Sequence, residues 1–388
     1  MALRLGPWGT RPRARAADAP APPPEPDRQL TCEQCAAVLS YKPGTDTIVC
    51  EYCGHSNRIA LRKVEIVEHD LEDALARGLA AAPVEEATTV KCPSCAAEFT
   101  FDPDRHAGVC PFCGQTIVAE TGAHRQIKPA AVLPFAIEER AARERVGGWL
   151  QGLWFAPAKL KRYARTEGRL SGMYLPYWTY DSRTRTAYAG QRGTVYQEPV
   201  RVQAMVNGRR VVQTRMVQKV RWRPVRGEVG RGFDDVLVLA SRSLPAWLTD
   251  RLEPWDLQGL KPYAPEYLTG FQSEAYQLPL DEGFEIASQK MRAAITQDVK
   301  ADIGGDLQRV ERMDIRHRDP SFKHVLLPVW LGALRYGGRT YRLSVNGRTG
   351  EVQGERPYSV WKILAAALLA LIVLGAIAYV LAGVNMPA

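Results

Sequence analysis

The chain has 388 residues with a formal charge of +9, 46% hydrophobic residues and eight cysteines. That is room for two or three domains with a real core. The charge is uneven: residues 1–30 carry net +2, residues 31–125 net −6 and residues 126–388 net +13. An anionic partner is therefore expected to meet the second half of the chain and not the cysteine region.

The N-terminus, MALRLGPWGTRPRARAADAPAPPPEP, has Arg and Pro but no apolar stretch of a secretory signal. Its composition cannot bury a core, so residues 1–29 read as a disordered tail. All eight cysteines follow within residues 32–113 and repeat at an offset of 60. Cys32, Cys35, Cys50 and Cys53 map onto Cys92, Cys95, Cys110 and Cys113. Ala36, Ala37, Pro43, Val49 and Gly54 recur as Ala96, Ala97, Pro103, Val109 and Gly114.

Two thiolates two residues apart sit on one tight knuckle, and two knuckles give four sulfurs at tetrahedral corners, which suits zinc. Gly54 and Gly114 fit the turn that closes a knuckle. The expectation is two zinc ribbons with rubredoxin-like knuckles, at residues 30–60 and 90–120, holding two Zn²⁺ per chain. Four thiolates leave no open position on the metal, so catalysis by the ion is not expected. Disulfides, a redox CxxC and a decayed site are the competing readings. A redox pair would more naturally occur once, within a βαβ pattern. His55 and His106 lie near complete cysteine sets and read as surface residues.

Between the ribbons, Val64, Val67, Leu71 and Leu75 recur at helical spacing and Pro83 closes the run. Residues 61–84 read as an amphipathic connector helix. From residue 126 the pattern predicts an α+β domain with an antiparallel sheet, over residues 126–358. A helix is predicted within residues 137–164, broken at Gly147, Gly148 and Pro157. Residues 184–226 read as strand, folded at Asn207-Gly208 into a hairpin. Residues 284–302 read as helix, stopped by Gly304-Gly305. A second hairpin is predicted at Gly337-Gly338, with a further turn at Asn346-Gly347. LPYW at 175–178 echoes LPVW at 327–330, which two related β units would explain.

On the strand after the first turn, Arg209, Gln213, Arg215, Lys219, Arg221 and Arg223 share one face and Val212, Met216, Val220 and Trp222 the other. The basic face reads as solvated, or as a surface for lipid heads or nucleic acid. Tyr174, Tyr177, Trp178 and Trp330 read as core, with a binding cleft as the competing reading.

Residues 363–384 carry no charge and, as a helix, would rise roughly 33 Å, against roughly 30 Å of hydrocarbon. They read as a single C-terminal transmembrane helix of a tail-anchored protein. Arg348, Arg356 and Lys362 precede it, so the N-terminal part is expected in the cytoplasm and the C-terminus outside. Tyr358 and Trp361 fall where interfacial aromatics belong, and thiolate zinc sites favour the same reducing compartment.

There is no GxxxxGK followed by Ser or Thr, no HExxH and no GxSxG. The chain is not expected to be an enzyme. Several stretches, GMYLPYWTYD, RWRPVRGEV, FDDVLVLAS, LEPWDLQGLKPYAPEYLTGF and KHVLLPVWLGALRY with VNGRTGEVQGERPYSVWKI, resemble a family of bacterial membrane-anchored double zinc-ribbon proteins. Its members often bear names taken from the primosomal replication helicase (replication factor Y) or from transcription-factor-IIB-type zinc ribbons. This chain lacks the helicase ATP-binding motifs, so that chemistry does not transfer. The resemblance implies the eight cysteines as ligands, no catalytic residue, and a phage-shock protein A-like partner. Two functions follow as expectations. One is a membrane-anchored interaction scaffold with protein and lipid partners. The other is a nucleic-acid-binding zinc-ribbon protein without helicase activity.

Overall fold

The computed structural model describes residues 31–37, 39–45, 47–59, 65–77, 84–92, 94, 97–100, 107–112, 116–118, 121–157, 170–206, 209–336, 339–356 and 358–384. The expected tail at 1–29 lies outside them. The elements in chain order begin with strands β1 (Thr47–Val49), β2 (Ser56–Arg58) and β3 (His69–Asp70), then helix α1 (Leu71–Arg77). Strands β4 (Val84–Lys91), β5 (Glu98–Thr100), β6 (Ala107–Val109), β7 (Thr116–Val118), β8 (Thr121–Ile127) and β9 (Ala131–Val132) follow. Then come α2 (Glu139–Gly152), β10 (Ser171–Val206), β11 (Arg209–Leu239), α3 (Ala246–Asp250), β12 (Lys261–Pro262) and β13 (Gln272–Ser273). The chain continues through α4 (Leu280–Ile303), β14 (Leu307–Tyr336), β15 (Arg339–Asn346), β16 (Val352–Gly354) and α5 (Val360–Val384).

The main sheet runs β11-β10-β14-β15-β16, with its named neighbours antiparallel. This corrects the α+β expectation: the molecule is mostly one large antiparallel sheet with few helices. The strands outrun their sequence signal. Pro176, Pro199, Pro224 and Pro328 and a scatter of glycines interrupt the apolar alternation, yet β10, β11 and β14 continue through them for 36, 31 and 30 residues. Both hairpins form, with Val206 paired to Arg209 and Tyr336 to Arg339. Helix α4 ends where Gly304 takes φ of 65°, a conformation that L side chains resist. The connector helix is short: Leu71 and Ala74 are buried on α1, while Val67 lies before it.

The LPxW echo has a structural basis. Leu175 pairs with Leu327, so the two segments are related by a two-fold between β10 and β14. β13 runs parallel to β10 at Met173 and Tyr174, and β9 parallel to β14 at the equivalent Val325 and Leu326. The Trp178 indole donates to the Leu278 carbonyl at 3.0 Å, and the Trp330 indole to the Ile137 carbonyl at 2.8 Å. Each acceptor lies two residues before a helix, α4 or α2. The Ala240 carbonyl accepts from Gln277 and Leu278, and the Gly347 carbonyl from Ala136 and Ile137. Two β-α-β-β units therefore make the domain, and the tryptophans hold each helix start to its hairpin.

Strand alternation gives the sheet two faces. Met173, Leu175, Tyr177, Val325, Leu327 and Val329 build a core with Val90, Phe99 and Phe112. Tyr174, Trp178 and Tyr180 point the other way, toward α2 and α4. The four aromatics read as core, Tyr174, Tyr177, Trp178 and Trp330, are all buried. β14 begins opposite Gly193. Beyond that row β10 and β11 extend alone as a two-stranded arm, so Val212 and Met216 are 61% and 54% exposed and not turned into a core. The side chain of Arg209 lies outside the described residues.

Helix α5 forms over the apolar C-terminal segment. Among the described residues, however, no helix is long and apolar enough to cross a membrane. The transmembrane, tail-anchored and membrane-localised readings are corrected on this finding. The cytoplasm-in, C-terminus-out topology rested on that span and goes with it.

Candidate metal centre

The first ribbon is built on the β1–β2 hairpin, with Thr47 opposite Arg58 and Val49 opposite Ser56. Each knuckle closes in the same way. The Ala36 amide donates to the Cys32 carbonyl at 2.8 Å, and the Gly54 amide to the Cys50 carbonyl at 2.9 Å. The residue four after the first cysteine is left-handed in both: Ala36 has φ of 58° and Gly54 of 75°. Glycine meets that demand freely; alanine resists it.

These turns bring one sulfur each from Cys32, Cys35, Cys50 and Cys53 to within 4.8 Å of one another. Cys32 Sγ lies 3.6 Å from Cys53 Sγ, and Cys35 Sγ 3.5 Å from Cys50 Sγ. A tetrahedral ion with Zn–S bonds near 2.3 Å needs sulfurs about 3.8 Å apart. The four residues therefore form a possible metal-binding cluster, and its donor set fits a thiophilic ion with no open position.

The electrostatics agree. Burial opposes ionisation of Cys32, but the amides of Cys35 and Gln34, then Asn57 and Cys53, pull its thiol down to about 6. The His55 amide favours a Cys53 thiolate. Burial and the sulfurs of Cys35, Cys32 and Cys50 outweigh it and push Cys53 up to about 12. Four thiols this close cannot all ionise without a cation among them.

Asn57 supports the cluster and was not singled out by sequence. It is buried, its Nδ2 lies 3.7 Å from Cys32 Sγ, and its Oδ1 accepts from the Glu33 amide at 3.0 Å. His55 stands 3.9 Å from Glu33 at the edge of the ribbon.

The second ribbon repeats the backbone. Strands β6 and β7 pair Ala107 with Val118 and Val109 with Thr116, each 60 residues on from β1–β2. The Cys92 amide donates to the Ala97 carbonyl at 2.9 Å, as Cys32 does to Ala37 at 2.8 Å. Cys92 and Cys110 are buried. Cys95, Cys113 and His106 lie outside the described residues. Ile117 stands where the first ribbon has Asn57.

Neither ribbon hangs free. Cys32, Ile48 and Cys50 pack with Phe135, Tyr174 and Trp330, and the Tyr41 amide bonds the Thr269 carbonyl at 3.0 Å. Cys92, Cys110 and Phe112 join the core on the opposite sheet face. The Thr100 hydroxyl donates to the Ser273 carbonyl at 2.9 Å and fastens the second ribbon to β13. Spacing alone did not reveal this docking.

Two other polar clusters were also invisible in sequence. Asp181, Asp234 and Asp235 converge beside a bulge where Asp235 has φ of 56°. The buried Lys323 ammonium lies 2.7 Å from Asp235 and 3.1 Å from Glu68, so a cation from the chain itself already occupies that place. Burial and its acidic neighbours leave Asp181 pushed up to about 7 despite Lys323. Glu274 is fully enclosed, and Ser241 donates to its Oε1 at 2.8 Å while Oε2 has no hydrogen-bond partner among the described residues. Burial raises it to about 8.

Among known proteins, the chain is 26% identical over 241 residues to the uncharacterized protein YdjG of Bacillus subtilis strain 168. The alignment covers 62% of this chain and 67% of that one. No family model matches, and no solved structure matches.

Proposed function

We propose that the chain is a non-catalytic interaction protein whose two ribbons each hold one structural Zn²⁺, bound by Cys32, Cys35, Cys50 and Cys53 and by Cys92, Cys95, Cys110 and Cys113. The observation that carries this reading is the first sulfur cluster, closed by four thiols on a doubly capped knuckle pair. The equivalent hairpin and the buried Cys92 and Cys110 extend it to the second ribbon. Zinc here stiffens surfaces already packed on the sheet. In small modules such binding contributes on the order of 10–16 kcal/mol to folding. The partner is a protein that reads the rigid ribbon surface; the family resemblance points to a phage-shock protein A-like one.

The test is metal analysis of the purified full-length chain, prepared under reducing, metal-replete conditions. Two zinc ions per chain are expected. A content near zero would remove the reading, and one ion would confine it to a single ribbon.

A further inference from the structure

Past the region covered by the second ribbon, one face of the main sheet lies open. On β10, Ser182, Thr184, Thr186 and Tyr188 are buried on the α4 side, while Arg183, Arg185 and Ala187 between them are exposed. On this open face the register sets Arg183 directly opposite Arg318 and Arg185 directly opposite Arg316. The third strand contributes only Gly232 and Gly230 to these rows. Further out, Arg226 and Arg312 flank Ala189, and Arg309 then lies over the Trp222 ring at 3.9 Å. Between the two sets of arginine rows, Glu228 and Asp314 flank Ala187. A depression of about 540 Å³ opens among Arg183, Arg185, Glu228, Gly230 and Arg318.

Like charges directly opposite on neighbouring strands destabilise a sheet, and here two such pairs sit in consecutive rows of one face. The carboxylates nearby balance only the Arg185–Arg316 pair. Glu228 pairs with Arg185, Asp314 stands 3.7 Å from Arg316, and Glu311 accepts from Gln191 at 2.6 Å. Among the described residues, the guanidinium groups of Arg183, Arg226, Arg312 and Arg318 have no ion pair or hydrogen bond.

We infer that this arginine face binds the phosphate backbone of double-stranded nucleic acid without reading its sequence. Three strands make the face roughly 10 Å wide, and Arg183 to Gln191 spans roughly 27 Å. Arginine presents a planar fork suited to phosphate oxygens, and a duplex carries about one charge per 1.7 Å of axis. Single-strand binders stack bases on open aromatic rings. Here Trp222 lies beneath Arg309, so the face has no free stacking platform. A flat face also puts no element into a groove to read base edges. This inference goes beyond the zinc-scaffold reading and does not depend on it.

The test uses the full-length chain and a fluorescent 30-base-pair duplex, titrated by anisotropy between 50 and 200 mM salt. The expected results are equal affinity for unrelated sequences and a fall of log K with log salt, with a slope of about −0.9 per phosphate contacted. The triple variant R183Q/R316Q/R318Q is expected to lose at least tenfold in affinity while its melting temperature holds or rises, because repelling pairs are removed. Should that variant fail to fold, R226Q/R312Q, on separate rows, is read in its place with the same expected direction. No binding at 50 mM salt, or unchanged affinity in a folded variant, would overturn the inference. So would tighter binding to anionic vesicles or to polyglutamate at matched salt, which would assign the face to another class of partner.

Discussion

Ala36 shows how closely a side chain can follow a backbone demand. The first knuckle needs a left-handed residue at this position, as the second does at Gly54, and the chain supplies alanine. That conformation costs an L-residue on the order of 1–2 kcal/mol, and glycine gives part of this back through its greater freedom in the unfolded chain. Ala36→Gly is therefore expected to stabilise the first ribbon by about 0.5–1 kcal/mol without altering metal stoichiometry. Zinc competition against a chromogenic chelator reads the effect as tighter retention by that ribbon. Weaker retention would mean that the Ala36 methyl makes a packing contribution larger than the strain. The four clustered sulfurs were legible in the sequence because their spacing encodes one local turn twice. Asn57 was not, since its role depends on reaching back 25 residues to Cys32.

At the scale of elements, the ribbons are separate hairpins on opposite faces of one sheet. On the proposed two-zinc reading each sulfur set would close within its own repeat, and losing one ion would leave the other coordination intact. Cys50→Ser is expected to reduce zinc from two ions to one per chain and to loosen residues 31–59. Hydrogen exchange should show lost protection on β1 and β2 and retained protection on β6 and β7. Loss of both ions would show that the ribbons fold as one cooperative unit through the sheet between them. The hairpins at 207–208 and 337–338 were legible because turn chemistry is local. The lengths of β10, β11 and β14 were not. Prolines and glycines that weaken an isolated strand are tolerated when neighbouring strands supply the remaining ladder.

For the molecule as a whole, the buried carboxyl of Glu274 ties stability to pH. Its folded value is raised to about 8 by enclosure, whereas an unfolded glutamate titrates near 4.3. Between these values the folded chain binds the proton and the unfolded chain does not, so this group's contribution is fully present below pH 4 and is lost as pH rises toward 8. Glu274→Gln keeps a neutral acceptor for Ser241 and cannot ionise. The variant is expected to match the parent near pH 4 and to melt roughly 5 °C higher at pH 8. Parallel melting curves for the two proteins across that range would show that Glu274 is not the group being titrated. Lys323 works in the opposite range: desolvation would lower it, but Asp235, Asp181 and Glu68 raise it to about 12. Its contribution holds below pH 10 and falls only as pH rises through 12.

Short-range chemistry decided what could be read from the residues alone. The CxxC spacing, the offset of 60, the Asn-Gly and Gly-Gly turns and the glycine stop of α4 each depend on atoms a few residues apart. The C-terminal run shows the limit of such reading: apolar composition over residues 363–384 implied a span, and among the described residues no helix is long and apolar enough to make one. Register and docking belonged to the tertiary structure. Arg183 meets Arg318 across 135 residues, Lys323 meets Glu68 across 255, and Leu175 meets Leu327 at the two-fold. None of these pairs leaves a local signature, because cross-strand pairing depends on where a distant chain segment starts its ladder. The cysteines were therefore visible before folding, and the open arginine face only after it.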